Sequence, residues 1–141
     1  SALSEDGKSS CWGYNAAKFN QTVIPDNLKN GLKSVKSGGH FTLAETSDGR
    51  ISGWGSDYNF ELHIPTGVTA PKQLTAGTFH SAALLQNGEI AVWGYNYYNQ
   101  LKVPENVKNV VFLEAGGAYT AAYTAENLLI GWGQRNFIII P

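Results

Sequence analysis

Residues 77–104 read GTFHSAALLQNGEIAVWGYNYYNQLKVP. Two short runs rich in alanine, leucine, isoleucine and valine flank the dipeptide Asn87-Gly88, and the second run ends at Trp93-Gly94. Apolar runs on either side of Asn-Gly are typical of a β-hairpin. The stretch therefore predicts two antiparallel strands followed by a loop rich in tyrosine and asparagine.

The same hairpin pattern recurs along the chain. Trp-Gly dipeptides begin at positions 12, 54, 93 and 132, at spacings of 42, 39 and 39 residues. A period of this length is the signature of a repeat architecture. A glycine preceded by Asp or Asn stands five residues before each of the first three tryptophans, and Glu126-Asn127 takes that place before the fourth. These dipeptides predict two-residue type I′ hairpin turns, which require positive φ angles.

Small residues recur at two further positions of the unit. An alanine lies ten residues before each tryptophan: Ala2, Ala44, Ala83 and Ala122. This predicts a tight contact between neighbouring units, because a larger side chain would overpack there. A glycine sixteen residues before the tryptophan opens an earlier strand in the last three units only: Gly38, Gly77 and Gly116.

Each unit thus reads as three strands and a loop, which is the make-up of one blade of a β-propeller. We predict an all-β fold of β-propeller-type blades, with about four repeats of 39–42 residues, an incomplete first unit and almost no helix. We expect a single domain covering residues 1–141. Its units are expected to end near four prolines: Pro25, Pro65, Pro104 and Pro141.

The third unit carries a longer pattern. It runs Ala-Gly-x-x-His-Ser-x-Ala-Leu-x-x-x-Gly-x-Ile-x-x-Trp-Gly-x-Asn and continues to Asn-Gln-Leu-x-Val-Pro. This pattern resembles the regulator-of-chromosome-condensation repeat and is similar to the propeller-type β-lactamase inhibitor proteins of bacteria. The resemblance spans essentially the whole chain and implies a β-propeller that binds protein partners.

Propellers of that superfamily usually close seven blades in one chain, and 141 residues are too few for seven. The chain is therefore either a fragment of a longer propeller or a small protein whose copies associate to close the ring. We favour association, most simply as a homodimer, because open blades expose strand edges. The apolar residues 137–140 would add a sticky end.

Composition narrows the class of protein. Charged residues make up 15% of the chain, its formal net charge is −1, and it has no run of Lys or Arg, which argues against nucleic acid as a partner. The absence of an eighteen-residue apolar stretch argues against a membrane. A single cysteine, Cys11, allows no disulfide within the chain. No signal peptide is seen, so we expect a cytoplasmic protein or leaderless release.

Signs of catalysis are absent from the sequence. No pair among the three histidines has the close spacing of a metal motif. The sequence contains no Gly-x-Ser-x-Gly elbow, and its glutamates fall at non-equivalent repeat positions. We therefore expect no enzyme, no metal and no cofactor.

Binding residues are expected in the loops after Trp-Gly, because loops on a rigid scaffold carry function. The predicted residues there are Tyr14, Asn15, Asp57, Tyr58, Tyr95 and Asn96. Residues near the repeated glycines add His40, His80 and Tyr119, which either line shallow pockets or fill the space between blades.

Two functions fit these loops. Tyrosine beside Asn or Asp suits a sugar ring and its hydroxyl groups, so the leading hypothesis is a small multivalent lectin that binds glycans. The alternative is a protein-interaction or inhibitor module that binds a protein partner through one face of the propeller.

Overall fold

The computed structural model describes residues 1–14, 18–134 and 137–139. These residues form twelve strands in four antiparallel sheets, plus one 3₁₀ turn at Asp26–Leu28. The first blade has two strands: β1 (Ala2–Leu3) and β2 (Ser9–Ser10). The second has three: β3 (Leu32–Ser37), β4 (Phe41–Thr46) and β5 (Ile51–Gly55). The all-β fold of blade-like sheets is confirmed.

The last two blades follow the same plan. The third blade consists of β6 (Gln73–Ala76), β7 (His80–Leu84) and β8 (Ile90–Gly94). The fourth consists of β9 (Val110–Ala115), β10 (Tyr119–Thr124), β11 (Leu129–Gly133) and β12 (Phe137–Ile139). Strand β12 pairs with β11, so the apolar tail, expected as a sticky end, supplies a fourth strand to this sheet.

The core lies between neighbouring blades. Side chains alternate across a strand, so Ala82 and Ala83 on β7 face opposite ways. Ala83 packs with Leu43 of the second blade, whereas Ala82 packs with Leu113 of the fourth. Three of the four repeated alanines are fully buried in such contacts, as predicted, while Ala2 is exposed.

The tryptophans lock each blade onto the one before it. The indole N–H of Trp93 donates to the carbonyl of Glu61 at 2.8 Å. Trp132 donates in the same way to Gln100, and Trp54 to Gln21, at 2.9 and 3.1 Å. Each acceptor directly follows a residue with positive φ that turns the loop: Asn20 (52°), Phe60 (64°) and Asn99 (60°).

The hairpin turns differ from the predicted type I′. Gly49 and Gly88 have positive φ angles of 85° and 87°, but the residues before them do not. The Gly49 N–H donates to the Thr46 carbonyl at 2.8 Å, and the Thr46 N–H donates to Arg50 at 2.9 Å. This is a three-residue loop with glycine in the left-handed position. The type I′ prediction was wrong because it assigned positive φ to two residues when one suffices.

Candidate functional site

The inner turns between the first two strands of a blade lie beside the loops that follow Trp-Gly. In the third blade the Tyr95 N–H donates to the Phe79 carbonyl at 2.9 Å. The Gln134 N–H meets the Ala118 carbonyl at the same distance in the fourth blade. This repeated bond brings the side chains of two distant segments together on one surface.

An open cleft of about 520 Å³ lies on this surface, between the second, third and fourth blades. We call it the aromatic cleft. Its lining residues are Tyr58, Asn59, Thr78, Phe79, Tyr95, Tyr98, Gly117, Ala118 and Gln134. None of these residues carries a formal charge, but the Lys18 ammonium lies 5.6 Å from the centroid of the Tyr58 ring.

Three rings of the cleft are linked by ring contacts, partly through Tyr97, which lies outside the lining. Phe79 meets Tyr95 edge to face, with ring centroids 6.0 Å apart. Tyr95 lies nearly parallel to Tyr97 at 6.2 Å, and Tyr97 meets Tyr98 edge to face at 5.1 Å. Tyr97 is 76% exposed, and Phe79 and Tyr98 are more than a third exposed. Contiguous exposed rings of this kind mark interaction surfaces.

Two other predicted residues lie in a different place. Tyr14 and His40 line a groove of about 280 Å³ beside the exposed Trp12, between the first and second blades. The His40 ring stacks on Phe19 at 5.3 Å. We call this the first-blade groove. Asn15, predicted beside Tyr14, lies outside the described residues.

Asp57 and Asn96 brace the loops that carry the cleft. The Asp57 carboxylate accepts a hydrogen bond from the Leu62 N–H at 2.9 Å. The Asn96 amide oxygen accepts one from the Leu101 N–H at 3.0 Å. Both acceptors stand three residues after a tryptophan, so they perform the same task in two blades. Their side chains shape the loops from within.

His80 is fully buried between the third and fourth blades. Its Nε2 lies 3.0 Å from the Thr120 hydroxyl, and burial lowers its pKa to about 4. The ring is therefore neutral at pH 7. Of the two interpretations offered for this residue, the structure favours space-filling between blades. Tyr119 occupies the equivalent position in the fourth blade and is 40% exposed.

In the aromatic cleft the structure thus brings together Tyr58 and Tyr95 from the predicted residues and adds Phe79 and Tyr98. Tyr14 and His40 meet separately in the first-blade groove. Phe79 stands fourteen residues before Trp93, at the position that His40 and Ala118 hold in their units. The repeat therefore contained a signal for Phe79: His40, at the same position of its unit, was predicted as a binding residue, and Phe79 was not.

Among residues 1–14, 18–134 and 137–139, no group of three or more His, Cys, Asp or Glu side chains could hold a metal ion. The helical part of the described chain is too short and too polar to cross a bilayer.

The third blade matches a known repeat. Residues 72–100 match the model described as Regulator of chromosome condensation (RCC1) repeat. This match supports an RCC1-type β-propeller. No curated protein matches the sequence of the chain.

Solved structures are similar to this chain over most of its length. The ectodomain of the Physcomitrella patens receptor kinase CR4 matches 91% of it, with a TM-score of 0.71 and 25% identity. The ectodomain of the Arabidopsis thaliana receptor kinase ACR4 matches 86%, with a TM-score of 0.63 and 23% identity. Prp20p from Saccharomyces cerevisiae matches 84%, with a TM-score of 0.61 and 19% identity.

The chain spans 34%, 41% and 32% of those three proteins, respectively. At 19% and 23% identity the likeness shows the fold alone. The structure of Prp20p is described together with its binding properties to Gsp1p and histones, which are partners of that protein.

Proposed function

We propose that this chain is a protein-binding propeller module that contacts its partner through the aromatic cleft. The observation that carries the proposal is the uncharged cleft in which Tyr58, Phe79, Tyr95 and Tyr98 meet on loops held by packed blades. Tyrosine and phenylalanine are enriched at the centres of protein interfaces, where charged residues are depleted. Loops positioned by a rigid scaffold are the usual place for such a surface.

The comparisons support a protein partner better than the glycan that the sequence suggested. Prp20p binds proteins, and a second yeast structure, of Kap60 bound to RCC1 (Prp20), resembles this chain with a TM-score of 0.62 and 19% identity. The lectin hypothesis rests on the same tyrosine and amide side chains, and nothing in the comparisons supports it. Binding of glycans is therefore an outcome of the test below.

The test is an unbiased peptide selection on the immobilised full chain, with a glycan array run in parallel. We expect selected peptides whose affinity falls at least tenfold in Tyr95→Ala, because a central aromatic contact is lost. Tyr14→Ala is the matched control: Tyr14 is 81% exposed and lies in the first-blade groove, so it should change nothing. Binders insensitive to Tyr95→Ala, or strong glycan binding that depends on Tyr95, would contradict the proposal.

We also propose that copies of the chain associate, most simply as a homodimer. The ends of the blade array expose apolar side chains: Trp12 is 67% exposed, and Val111 and Phe112 are more than half exposed. Apolar surface of this kind favours association. Light scattering at micromolar concentration should give twice the chain mass, and Trp12→Lys should lower it. A clean monomer for the parent protein would refute this association.

A further inference from the structure

Several backbone groups around the aromatic cleft are already engaged within the protein. The Phe79 and Ala118 carbonyls accept from the loops of their own blades. The Thr78 carbonyl accepts from the Gly39 N–H at 3.1 Å, and the Gly116 carbonyl accepts from the Thr78 N–H at 3.1 Å. These bonds tie the inner turns of three blades to one another. At the inner turns, these carbonyls are therefore already occupied by one donor each.

The N–H groups of the cleft loops are engaged as well. The Tyr98 N–H donates to the Gln100 side chain at 3.0 Å, and the Asn59 N–H donates to the Glu61 side chain at 2.7 Å. Both acceptor side chains are buried. Addition of a partner strand by backbone pairing requires free N–H and C=O groups in a row. In the loops that follow Trp-Gly, the engaged N–H groups interrupt such a row.

What the cleft offers is flat rings and phenolic hydroxyl groups. Tyr58, Tyr95 and Tyr98 supply three hydroxyls, and Phe79 adds an apolar face. No hydrogen bond joins these three hydroxyls to another described residue, and each can donate a hydrogen bond to a ligand. The lining residues themselves carry no formal charge, and a cation, the Lys18 ammonium, lies over the Tyr58 ring.

We propose that the aromatic cleft recognises a proline-rich segment in the polyproline II conformation. Such a segment has carbonyl acceptors, lacks N–H donors at its prolines and presents apolar rings, which matches the groups that the cleft provides. Its conformation is largely formed before binding, so little entropy is lost. Aromatic-lined grooves are the surfaces on which segments of this kind dock.

This inference rests on the proposed function and narrows it to one class of partner segment. The first experiment measures fluorescence anisotropy of a labelled decaproline peptide titrated with the full chain. An array of decamers with prolines at Pro-x-x-Pro spacing is probed in the same way. A Gly-Ser decamer of equal length is the control, because it has the same number of carbonyls without the rings or the fixed conformation. Equal binding of the Gly-Ser and proline-rich decamers would overturn the inference.

Three variants distinguish the cleft from other surfaces. Tyr95→Phe removes one hydroxyl and keeps the ring, and it should weaken the proline-rich peptide about fivefold, the effect of one net hydrogen bond. Tyr95→Ala should weaken it further, whereas Tyr14→Phe in the first-blade groove should leave it unchanged. Circular dichroism melting of each variant shows that the fold is retained. Proline-rich binding unaffected by either Tyr95 variant would refute the assignment to this cleft.

The two proposals fail in different ways. If the unbiased selection yields peptides without proline that depend on Tyr95, the protein-binding function stands and the proline-rich inference falls. If no peptide of any composition depends on Tyr95, both fall. If the selected peptides are proline-rich and depend on Tyr95, both stand.

Discussion

Trp12 and Trp93 occupy the same position of the same repeat, and their environments are opposite. Trp93 is 5% exposed and donates its indole N–H to the Glu61 carbonyl of the preceding blade. Trp12 is 67% exposed. The Trp-Gly dipeptide therefore holds blades together, because the indole is buried where the loop of a preceding blade lies against it.

The largest expected effect on stability comes from removing the indole of Trp93, and removal of the Trp12 indole is its control. Trp93→Ala should lower the free energy of unfolding by about 3–5 kcal/mol, the cost of truncating a large buried side chain. Trp12→Ala should change it by no more than roughly 0.5 kcal/mol, as an exposed residue does. Urea unfolding, at a concentration where light scattering shows a monomer, measures both. Similar losses of stability in the two variants would contradict the role of the buried indole in holding blades together.

A pH titration examines the contact between the third and fourth blades. Because the pKa of His80 is about 4 in the folded protein, against a usual value of 6.5, the unfolded chain takes up the proton first as the pH falls. The contribution of His80 to stability is therefore fully present above pH 6.5 and is lost as the pH falls toward 4, by up to about 3 kcal/mol.

The matched variant for this titration is His80→Phe. Phe41, buried at the equivalent position of the second blade, shows that a phenyl ring fits the repeat there. Urea unfolding of both proteins at several pH values isolates the histidine from the carboxylates that titrate in the same range. Parallel stability curves for the two proteins would show that His80 is not the group responsible.

The repeated alanines give a smaller effect of the same kind. Ala83→Leu should lower the free energy of unfolding by about 1–3 kcal/mol, because the added atoms overpack the contact with the second blade. Ala2→Leu places the same side chain on an exposed position of the first blade and should cost almost nothing. Thermal melting of both variants measures the effect. An unchanged melting temperature for Ala83→Leu would show that the contact at Ala83 is not tight.

The smallest expected effect concerns a loop of the aromatic cleft. Asn96→Ala should cost about 1 kcal/mol of stability, since the Leu101 N–H loses its acceptor. An exposed asparagine in another loop, Asn106, serves as the control, and its replacement by alanine should be neutral. If both variants melt with the parent, Asn96 does not brace the loop, and a direct contact with a ligand becomes the better explanation for it.

The sequence was sufficient for the strands and their order, because Trp-Gly, the hairpin glycines and the alanines recur at a fixed period. It was less informative about roles. Asn96 was predicted to contact a ligand and His80 was left open between two roles, since the bonds to Leu101 and Thr120 depend on loop shape and on the neighbouring blade. Phe79 lies in the turn before β7 and contacts Tyr95, which lies in the loop after β8. The residue type at position 79 does not by itself reveal this contact.

The direction of the tryptophan bonds bears on how the chain is made. Each acceptor carbonyl precedes its indole by 32 or 33 residues. When a tryptophan leaves the ribosome, its partner loop has therefore already been synthesised. Each blade can therefore bond to the one before it as soon as its own tryptophan has been synthesised. Proteins generally fold from the N-terminus during synthesis, at about 5–20 residues per second. A chain with this bond pattern is suited to being assembled blade by blade as it is translated.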